Sequence, residues 1–261
     1  MKKTLIALAL ATTAVSGSAM AWVPNGLGGT MEFGGTLTPK DVVNPWEVKI
    51  GPNMNTLNGS LKPNEKVVKI TLANAIPVLG IRTTASSISF NGAPGISPQI
   101  NYSGLIDPTK FDAGKVPVTL DVKSADAAAT KIGTLTTKLT AGGMGMATGD
   151  GYYNTIVALE ANSLFRGGVA QDRAKALPGL QVTPVSRSFF SDITNNFDEG
   201  GVQIHTGTNG SNYVPTDPLK KYSAYYASGF QSGESVTITL DSPATANMNW
   251  KVSFPVTVSY Q

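Results

Sequence analysis

The C-terminal stretch Trp250-Lys251-Val252-Ser253-Phe254-Pro255-Val256-Thr257-Val258-Ser259-Tyr260 indicates the fold class. Every second residue from Val252 to Tyr260 is apolar, and those between are polar apart from Pro255. A period of two places alternate side chains on opposite faces of a strand, so one face is predicted to be buried. Because Pro255 lies on the other face and lacks an N–H, we expect incomplete pairing there.

Shorter alternating runs lie upstream of this tail. They cover residues 68–72, 88–90, 116–122, 132–139 and 236–240. Turn-forming pairs such as Asn91-Gly92 and Ser232-Gly233 separate several of them. Short strands at such intervals favour an all-β sandwich over a parallel α/β sheet. The break at Asp241-Ser242-Pro243 leads us to expect that the 236–240 strand pairs with the tail.

The alternation fades in the middle of the chain, between about residues 141 and 226. Apolar residues near helical spacing predict a helix over 154–165, and a second short helix is expected over 170–177, before Pro178-Gly179. Residues 142–151 and 195–218 are expected to form loops. We therefore expect an inserted subdomain with short helices at about residues 141–215.

Composition and the N-terminus limit the class of protein. The 261 residues include no cysteine and one histidine, which argues against disulfides, thiolate sites and multi-histidine metal sites. Residues 1–21 are predicted to be a signal peptide, with Lys2 and Lys3 before a short apolar run and an Ala19-Met20-Ala21 cleavage site. Losing both lysines lowers the formal net charge from +3 to +1, so nucleic-acid binding is not indicated.

The first segment of the mature chain, residues 22–38, alternates large residues with glycines. One face of it would carry Leu27, Gly29, Met31, Phe33, Gly35 and Leu37. Glycine weakens a strand within its own sheet, and a terminal segment needs an anchor to be ordered. Two interpretations follow from the pattern alone. The segment is either an ordinary first strand or a strand that fills a groove in another copy by backbone hydrogen bonding.

Taken together, these motifs resemble one family. The leader, the glycine-rich alternating start, Trp46-Glu47-Val48-Lys49-Ile50-Gly51 and the C-terminal tail are similar to the K88 (FaeG-type) class of chaperone–usher fimbrial subunits. The resemblance covers both ends of the chain and, less closely, residues 222–240. It implies an incomplete immunoglobulin-like sandwich over residues 39–261 that lacks one strand. A periplasmic chaperone, and then the extension of the next subunit, supplies that strand.

The resemblance also assigns roles to residues. It makes residues 22–38 the donor strand, with Leu27, Met31, Phe33 and Leu37 filling pockets and Gly29 and Gly35 facing shallow ones. It makes the tail the border of the acceptor groove, contacted by the chaperone, through Val252, Phe254, Val256, Val258 and Tyr260. Family members carry an aromatic residue at or near the terminus, and in this chain Gln261 follows Tyr260. Covering a missing strand with the next copy gives head-to-tail contacts, which propagate into open filaments.

Catalysis has little support in the sequence. There is no G-x-S-x-G elbow, and the lone His205 lies in a polar, turn-rich context typical of the surface. The acidic stretch 192–199 has Phe197 where a calcium loop needs glycine. We expect neither a catalytic residue, a metal nor a cofactor.

Carbohydrate binding is the sharper possibility, because the resemblance implies subunits that recognise galactose-containing host glycans through the insertion. Sugar sites combine an aromatic face with charged and amide groups. On residue type alone the candidates are Tyr152, Tyr153, Arg166, Arg187 and Asp192. Phe165, Phe189 and Phe190 are expected to form a small core instead, and Tyr222, Tyr225 and Tyr226 to pack at a strand.

The predicted function is a structural, non-enzymatic subunit of a chaperone–usher fimbria, exported through the periplasm to the cell surface. Its expected partners are other copies of itself, a chaperone, an outer-membrane usher and host glycans. The terminal motifs look more like those of a major subunit. The alternatives are a non-adhesive minor subunit, a periplasmic enzyme or binding protein, and an outer-membrane β-barrel, against which the glycine-rich middle argues.

Overall fold

A computed structural model describes residues 33–36, 43–207 and 209–261. The chain divides into two compact units, residues 1–40 and 41–261, and the described strands belong to the second. In chain order they are β1 Trp46–Ile50, β2 Val67–Thr71, β3 Ile76–Thr83, β4 Phe90–Asn91, β5 Pro98–Asn101, β6 Lys115–Ser124, β7 Lys131–Ala147, β8 Tyr152–Val157, β9 Gln203–Ile204, β10 Ser211–Asn212, β11 Lys221–Phe230, β12 Ser235–Leu240, β13 Trp250–Lys251 and β14 Thr257–Tyr260. The α-helix α1 spans Gly179–Phe189, and short 3-10 turns lie at Pro108–Lys110 and Arg173–Lys175.

The predicted all-β class is confirmed. The main sheet has the order β1-β3-β11-β7-β12-β2, with antiparallel neighbours throughout. Strand β6 pairs with β7 and with β13, while β14 pairs with β5 in a separate two-stranded sheet. Alternate apolar residues of β6 and β12 are buried, as their period of two predicts.

Strand β7 organises the sheet because it has different neighbours along its two halves. Its first half pairs with β6 and β12, and its second half pairs with β11 and, at Met144 and Gly145, with β8. The expectation of a loop over 142–151 is wrong for residues 142–147, which are strand and buried on both faces. Their glycines serve close packing, since a Cβ on Gly145 would lie 2.8 Å from the ring of Tyr213.

The helix expectations in the middle of the chain are also wrong. Residues 152–157 form β8, and the apolar residues taken as one helical stripe belong to a buried strand and the loop after it. Within 170–177 there is a single turn, Arg173–Lys175. The helix α1 begins where Pro178-Gly179 suggested an end. Proline is tolerated at the start of a helix, where N–H groups have no intrahelical acceptor.

A third correction concerns the partner of the tail. Strand β12 lies between β7 and β2 and does not pair with the tail. The loop 241–249 instead carries the chain past β7 and β6 to β13. The incomplete pairing expected at Pro255 is confirmed, because residues 252–256 belong to no strand and separate β13 from β14.

Two groups of buried side chains form the core. The larger lies within the sheets and includes Trp46, Phe165 and Tyr226, and the smaller joins α1 to the sheet through Phe189, Phe190 and Tyr225. Phe165, Phe189 and Phe190 are buried as expected, but they do not form one small core, because Phe165 belongs to the larger group. The expected packing of Tyr222, Tyr225 and Tyr226 at a strand is confirmed.

Candidate binding groove

The tail presents one half-buried face along its whole length. Val252, Phe254, Val256, Val258 and Tyr260 are each half-buried against the main core, and each odd-numbered residue from 251 to 261 is exposed. The alternation of exposure is unbroken through residues 252–256, which lie between β13 and β14, so one face of the tail keeps the same orientation along both strands. The face that the sequence predicted to be apolar is thus turned toward the core but is not fully covered.

The backbone hydrogen bonds that pair the tail with β5 and β6 are all made at one of its two edges. The backbone groups of Ser97 and Gln261 bond reciprocally at 3.0 Å, and Ala125 N donates to Asn249 O at 3.0 Å. Backbone groups alternate between the two edges of a strand, so odd-numbered residues face β5 and β6. The N–H and C=O groups of the even-numbered residues from 250 to 260 face the other edge. Among the described residues, no strand pairs with that edge.

Strand β1 has a similar open edge. Pro45 O accepts from Thr84 N at 2.8 Å and Gly51 N donates to Val78 O at 3.0 Å, so Glu47 and Lys49 also direct their backbone groups to β3. The backbone groups of Val48 and Ile50 point away from β3. Their side chains share a sheet face with core residues but are 42% and 59% exposed. Core-facing surface at this edge is therefore uncovered.

The start of β1 and the end of the tail lie close together. The indole Nε1 of Trp46 donates to Ile96 O at 2.6 Å, and the next residue, Ser97, pairs with Gln261. From this point β1 runs onward to Ile50, whereas the tail runs back toward Trp250. The two open edges thus extend away from a common end and have opposite chain directions.

Side chains connect the same two segments further along. The rings of Phe254 and Phe230 are 5.7 Å apart, and Phe230 pairs with Ile76. Ile76 in turn lines a cavity of about 210 Å³ together with Leu57, downstream of β1, and Ile70. This cavity is therefore a second place where core residues between the tail and β1 are open to the surface.

A larger cavity of about 620 Å³ marks the far end. Leu61 and Trp250 both line it, together with the apolar residues Val68, Ile70, Ile238 and Leu240. Ile70 lines both cavities. We call the whole feature, bounded by residues 46–61 and 250–261, the open groove. The tail from Trp250 to Tyr260 has eleven residues, and eleven residues of extended chain span about 35 Å, so the open groove is about 35 Å long.

Most of the predicted donor residues lie outside the described part of the chain. These are Leu27, Gly29, Met31 and Leu37. Of the two that are described, Phe33 is 86% exposed, and no atom lies within 4 Å of where a Cβ on Gly35 would be. A large apolar side chain exposed to this degree gains free energy when it is buried elsewhere.

A second candidate site is a polar pocket of about 270 Å³ beside β8. It is lined by Asp150, Gly151, Tyr152, Arg173, Ser211 and Asn212. Tyr152 is 41% exposed, and its ring lies 4.7 Å from the ring of His205. Arg173 Nη1 donates to Gly210 O at 2.6 Å, and burial raises the pKa of Asp150. An exposed aromatic face beside carboxylate, guanidinium, hydroxyl and amide groups suits a sugar ring.

The structure does not bring the other predicted sugar contacts to this pocket. Tyr153 packs against Phe197 at 5.5 Å. Arg166 donates to the carbonyl of Glu160, Arg187 donates to Thr194, and Asp192 forms ion pairs with Lys49 and Arg82.

Sequence reasoning missed four of the pocket residues, namely Asp150, Arg173, Ser211 and Asn212. The parallel pairing of β10 with β8 brings positions about 55 residues apart together, and no local pattern signals that pairing.

Other kinds of site find no support in the described ranges. No three His, Cys, Asp or Glu side chains there are grouped as metal ligands. None of the helices there is both long enough and apolar enough to cross a membrane.

Comparison with known proteins gives a consistent result. The family described as "Fimbrial, major and minor subunit" (Fimbrial_K88) matches residues 1–261. The chain is 27% identical over 289 aligned residues to K88 fimbrial protein AD of Escherichia coli, and 26% identical over 287 residues to K88 fimbrial protein AC of the same organism. K88 fimbrial protein AB is also 26% identical over 287 residues. Each alignment covers the whole of both chains.

Proposed function

This chain belongs to the K88 family of fimbrial subunits, and we propose that it polymerises by donor-strand exchange through the open groove. Members of the family are structural subunits and not enzymes, and they assemble with other subunits into a fimbrium exposed on the cell surface. The proposal adds the means of assembly. Residues 22–38 of one copy occupy the open groove of the next, and a periplasmic chaperone occupies it before export through an outer-membrane usher.

The observation that carries this proposal is the shared geometry of the two open edges. On both β1 and the tail, the residues whose side chains face the core also direct their backbone groups to the open edge. One added strand would satisfy both sets of backbone groups and cover the exposed core. Because the two edges run in opposite directions, the added strand is parallel to one and antiparallel to the other.

The extension matches the groove in length and in pattern. Its alternating face runs from Leu27 to Leu37, which is eleven residues, as is the tail from Trp250 to Tyr260. Large side chains of the extension would enter the two cavities. Its glycines would lie where core side chains of the groove leave no room for another side chain. Contacts between different surfaces of identical copies do not close on themselves, so they propagate into a filament.

The test compares two substitutions on opposite faces of the extension, together with its removal. Phe33→Asp places a charge on the apolar face, and Thr36→Asp places the same charge on the other face. Each variant, and one lacking residues 22–37, is expressed with the cognate chaperone. We expect soluble chaperone complexes from all three, and fimbriae from Thr36→Asp alone. Fimbriae from the shortened chain would show that residues 22–37 form an ordinary strand.

For the surface of the fimbrium we propose adhesion to galactose-containing host glycans, as a second function. The polar pocket beside β8 supports it, because Tyr152 offers an exposed ring next to Asp150, Arg173 and Asn212. A non-adhesive subunit is the alternative. Intact fimbriae carrying Tyr152→Ala are compared on a panel of galactosides with fimbriae carrying Leu159→Ala, an exposed residue outside the pocket. We expect at least a tenfold loss for Tyr152→Ala alone. If unsubstituted fimbriae bind no galactoside, the adhesive role is rejected.

A further inference from the structure

Among the described residues, strand β1 is paired with a neighbouring strand on one side only. It has five residues, it pairs on one side with β3, and its first residue, Trp46, is the one that is buried. The N-terminal extension, residues 22–38, precedes this strand in the chain, with residues 39–45 between them. If copies are linked through the extension, a premise that rests on the proposed function, tension along a fimbrium enters each subunit at Trp46.

Trp46 fixes the start of β1 in the core. Its side chain is 6% exposed, and its ring lies edge-on to Phe90 at 5.1 Å and to Phe165 at 5.5 Å. Its indole N–H donates to Ile96 O at 2.6 Å. The Trp46 backbone N–H is also used, donating to Asn44 Oδ1 at 3.1 Å. Movement of β1 along its axis would break the two ring contacts and the indole hydrogen bond at once.

A polar cluster holds the next residues of β1 from the opposite face. Arg82 on β3 bonds to Glu47 on β1, and its Nη1 lies 3.4 Å from Asp192 Oδ2. Lys49 Nζ lies 3.6 Å from Asp192 Oδ1. Asn196 Nδ2 donates to Glu47 Oε1 at 3.1 Å. A network that ties several groups together resists distortion better than an isolated surface pair.

The cluster is anchored in turn to the rest of the domain. Asn196 Nδ2 donates to Thr83 O at 2.8 Å, and Thr83 Oγ1 donates to Asn196 O at 2.6 Å, with both residues buried. Residues 192–196 follow α1, and the last residue of that helix, Phe189, and the next residue, Phe190, belong to the smaller core. The helical segment is therefore fastened across β1 and β3, on the face opposite to the main core.

We propose that Trp46 and the Arg82 cluster are a mechanical anchor that keeps β1 in place when the fimbrium is under tension. Strand β1 carries tension from two sources. The subunit's own extension precedes it in the chain, and β1 also forms one edge of the groove that holds the neighbour's extension. An edge strand with pairing on one side is the first element that such a load would detach. The anchor joins it to both cores, so that the load is spread through the domain.

The test stretches single fimbriae end to end with optical tweezers and records the force at which subunits yield. Arg82→Gln removes the ion pairs of Arg82 with Glu47 and Asp192, and Trp46→Phe removes the indole hydrogen bond. Lys131→Gln serves as the matched control, since it removes the ion pair with Asp121 far from β1. Guanidinium midpoints of the same fimbriae report general stability.

We expect Arg82→Gln and Trp46→Phe to lower the yield force by a quarter or more, with Arg82→Gln leaving the guanidinium midpoint close to that of the control. Equal forces in all variants, or an equal drop in Lys131→Gln, would overturn the anchor. Failure of the proposed function looks different. It appears as fimbriae that still assemble from the shortened chain, whereas failure of the anchor appears in fimbriae that assemble by exchange and yield at an unchanged force.

Discussion

The indole nitrogen of Trp46 lies 2.6 Å from the carbonyl oxygen of Ile96, one residue before the Ser97–Gln261 backbone pair. This bond places the first residue of β1 beside the last residue of the chain. The two ends of the domain thus meet at one end of the open groove. Loss of this hydrogen bond is therefore expected to lower the stability of the fold as well as to impair assembly.

Trp46→Phe is expected to lower the unfolding midpoint of purified fimbriae. The smaller ring keeps much of the apolar contact but leaves the buried carbonyl of Ile96 without its donor, at a cost of about 1–3 kcal/mol. Trp46→Ala should cost more, about 3–5 kcal/mol, because it also leaves a cavity. A guanidinium titration followed by circular dichroism measures both. An unchanged midpoint in Trp46→Phe would show that the bond contributes nothing.

Val258→Asp and Ser259→Asp are expected to differ sharply although they are adjacent. Val258 is half-buried on the core side of β14, and Ser259 is exposed on the other side. A carboxylate at 258 would enter the groove floor and would have to be desolvated when a strand is added. We expect Val258→Asp to abolish recovery of the chaperone complex and of fimbriae, and Ser259→Asp to leave both near normal. Equal recovery would exclude this face from assembly.

The stability of the fimbriae should fall at alkaline pH. Tyr102 Oη lies 2.8 Å from Tyr226 Oη and 2.7 Å from Ser228 Oγ, all of them buried. Burial raises the pKa of Tyr102 to about 12, and it raises the pKa of Tyr226 well above its usual value. Between pH 10 and 12 the unfolded chain loses protons that the folded chain keeps, so unfolding becomes easier as the pH rises.

Tyr102→Phe tests this directly. Two pH units for one group correspond to roughly 2–3 kcal/mol. In denaturant titrations from pH 8 to pH 12, the variant should lose less stability than the parent over the alkaline range, whatever its stability at pH 8. A parallel decline of both proteins would show that Tyr102 keeps an ordinary pKa.

Gly133→Ala and Gly151→Ala form a matched pair. A Cβ on Gly133 would lie 2.3 Å from the carbonyl oxygen of Thr239 on the neighbouring strand, whereas no atom lies within 4 Å of the equivalent position at Gly151. We expect Gly133→Ala to destabilise the fold by more than about 2 kcal/mol, since backbone must move, and Gly151→Ala to change stability by less than about 0.5 kcal/mol. Thermal unfolding of the two variants compares them. Similar midpoints would contradict the close β7–β12 approach.

The sequence predicted those strands that have one buried and one exposed face. The tail and β6 are recognisable because a half-buried strand must alternate. The second half of β7 is not, since both of its faces are covered and its glycines admit close neighbours such as the Tyr213 ring. Helix α1 was not predicted from the sequence because it begins after Pro178 and contains Pro184. A proline inside a helix usually breaks it.

Pairing partners and pocket composition depend on distant parts of the chain. Alternation in β12 and in the tail predicted two strands but not that β7 and β6 lie between them. The half-buried face of the tail followed from a local pattern, whereas the second edge, at β1, is visible only from the hydrogen bonds of Pro45 and Gly51. Asn212 reaches the polar pocket through a two-residue parallel pairing, and Arg173 through hydrogen bonds with Gly210; no local sequence pattern signals either contact.

The position of β7 bears on how fast the domain can fold. Its β6 partner precedes it closely, but β11 and β12 come some 80 to 100 residues later in the chain. Until they arrive, a long strand rich in glycine and threonine has an unsatisfied edge. Contacts between such distant residues close slowly, and a chain waiting for them is prone to aggregate. Rapid capture of the newly exported chain would therefore matter most before β11 and β12 have reached β7.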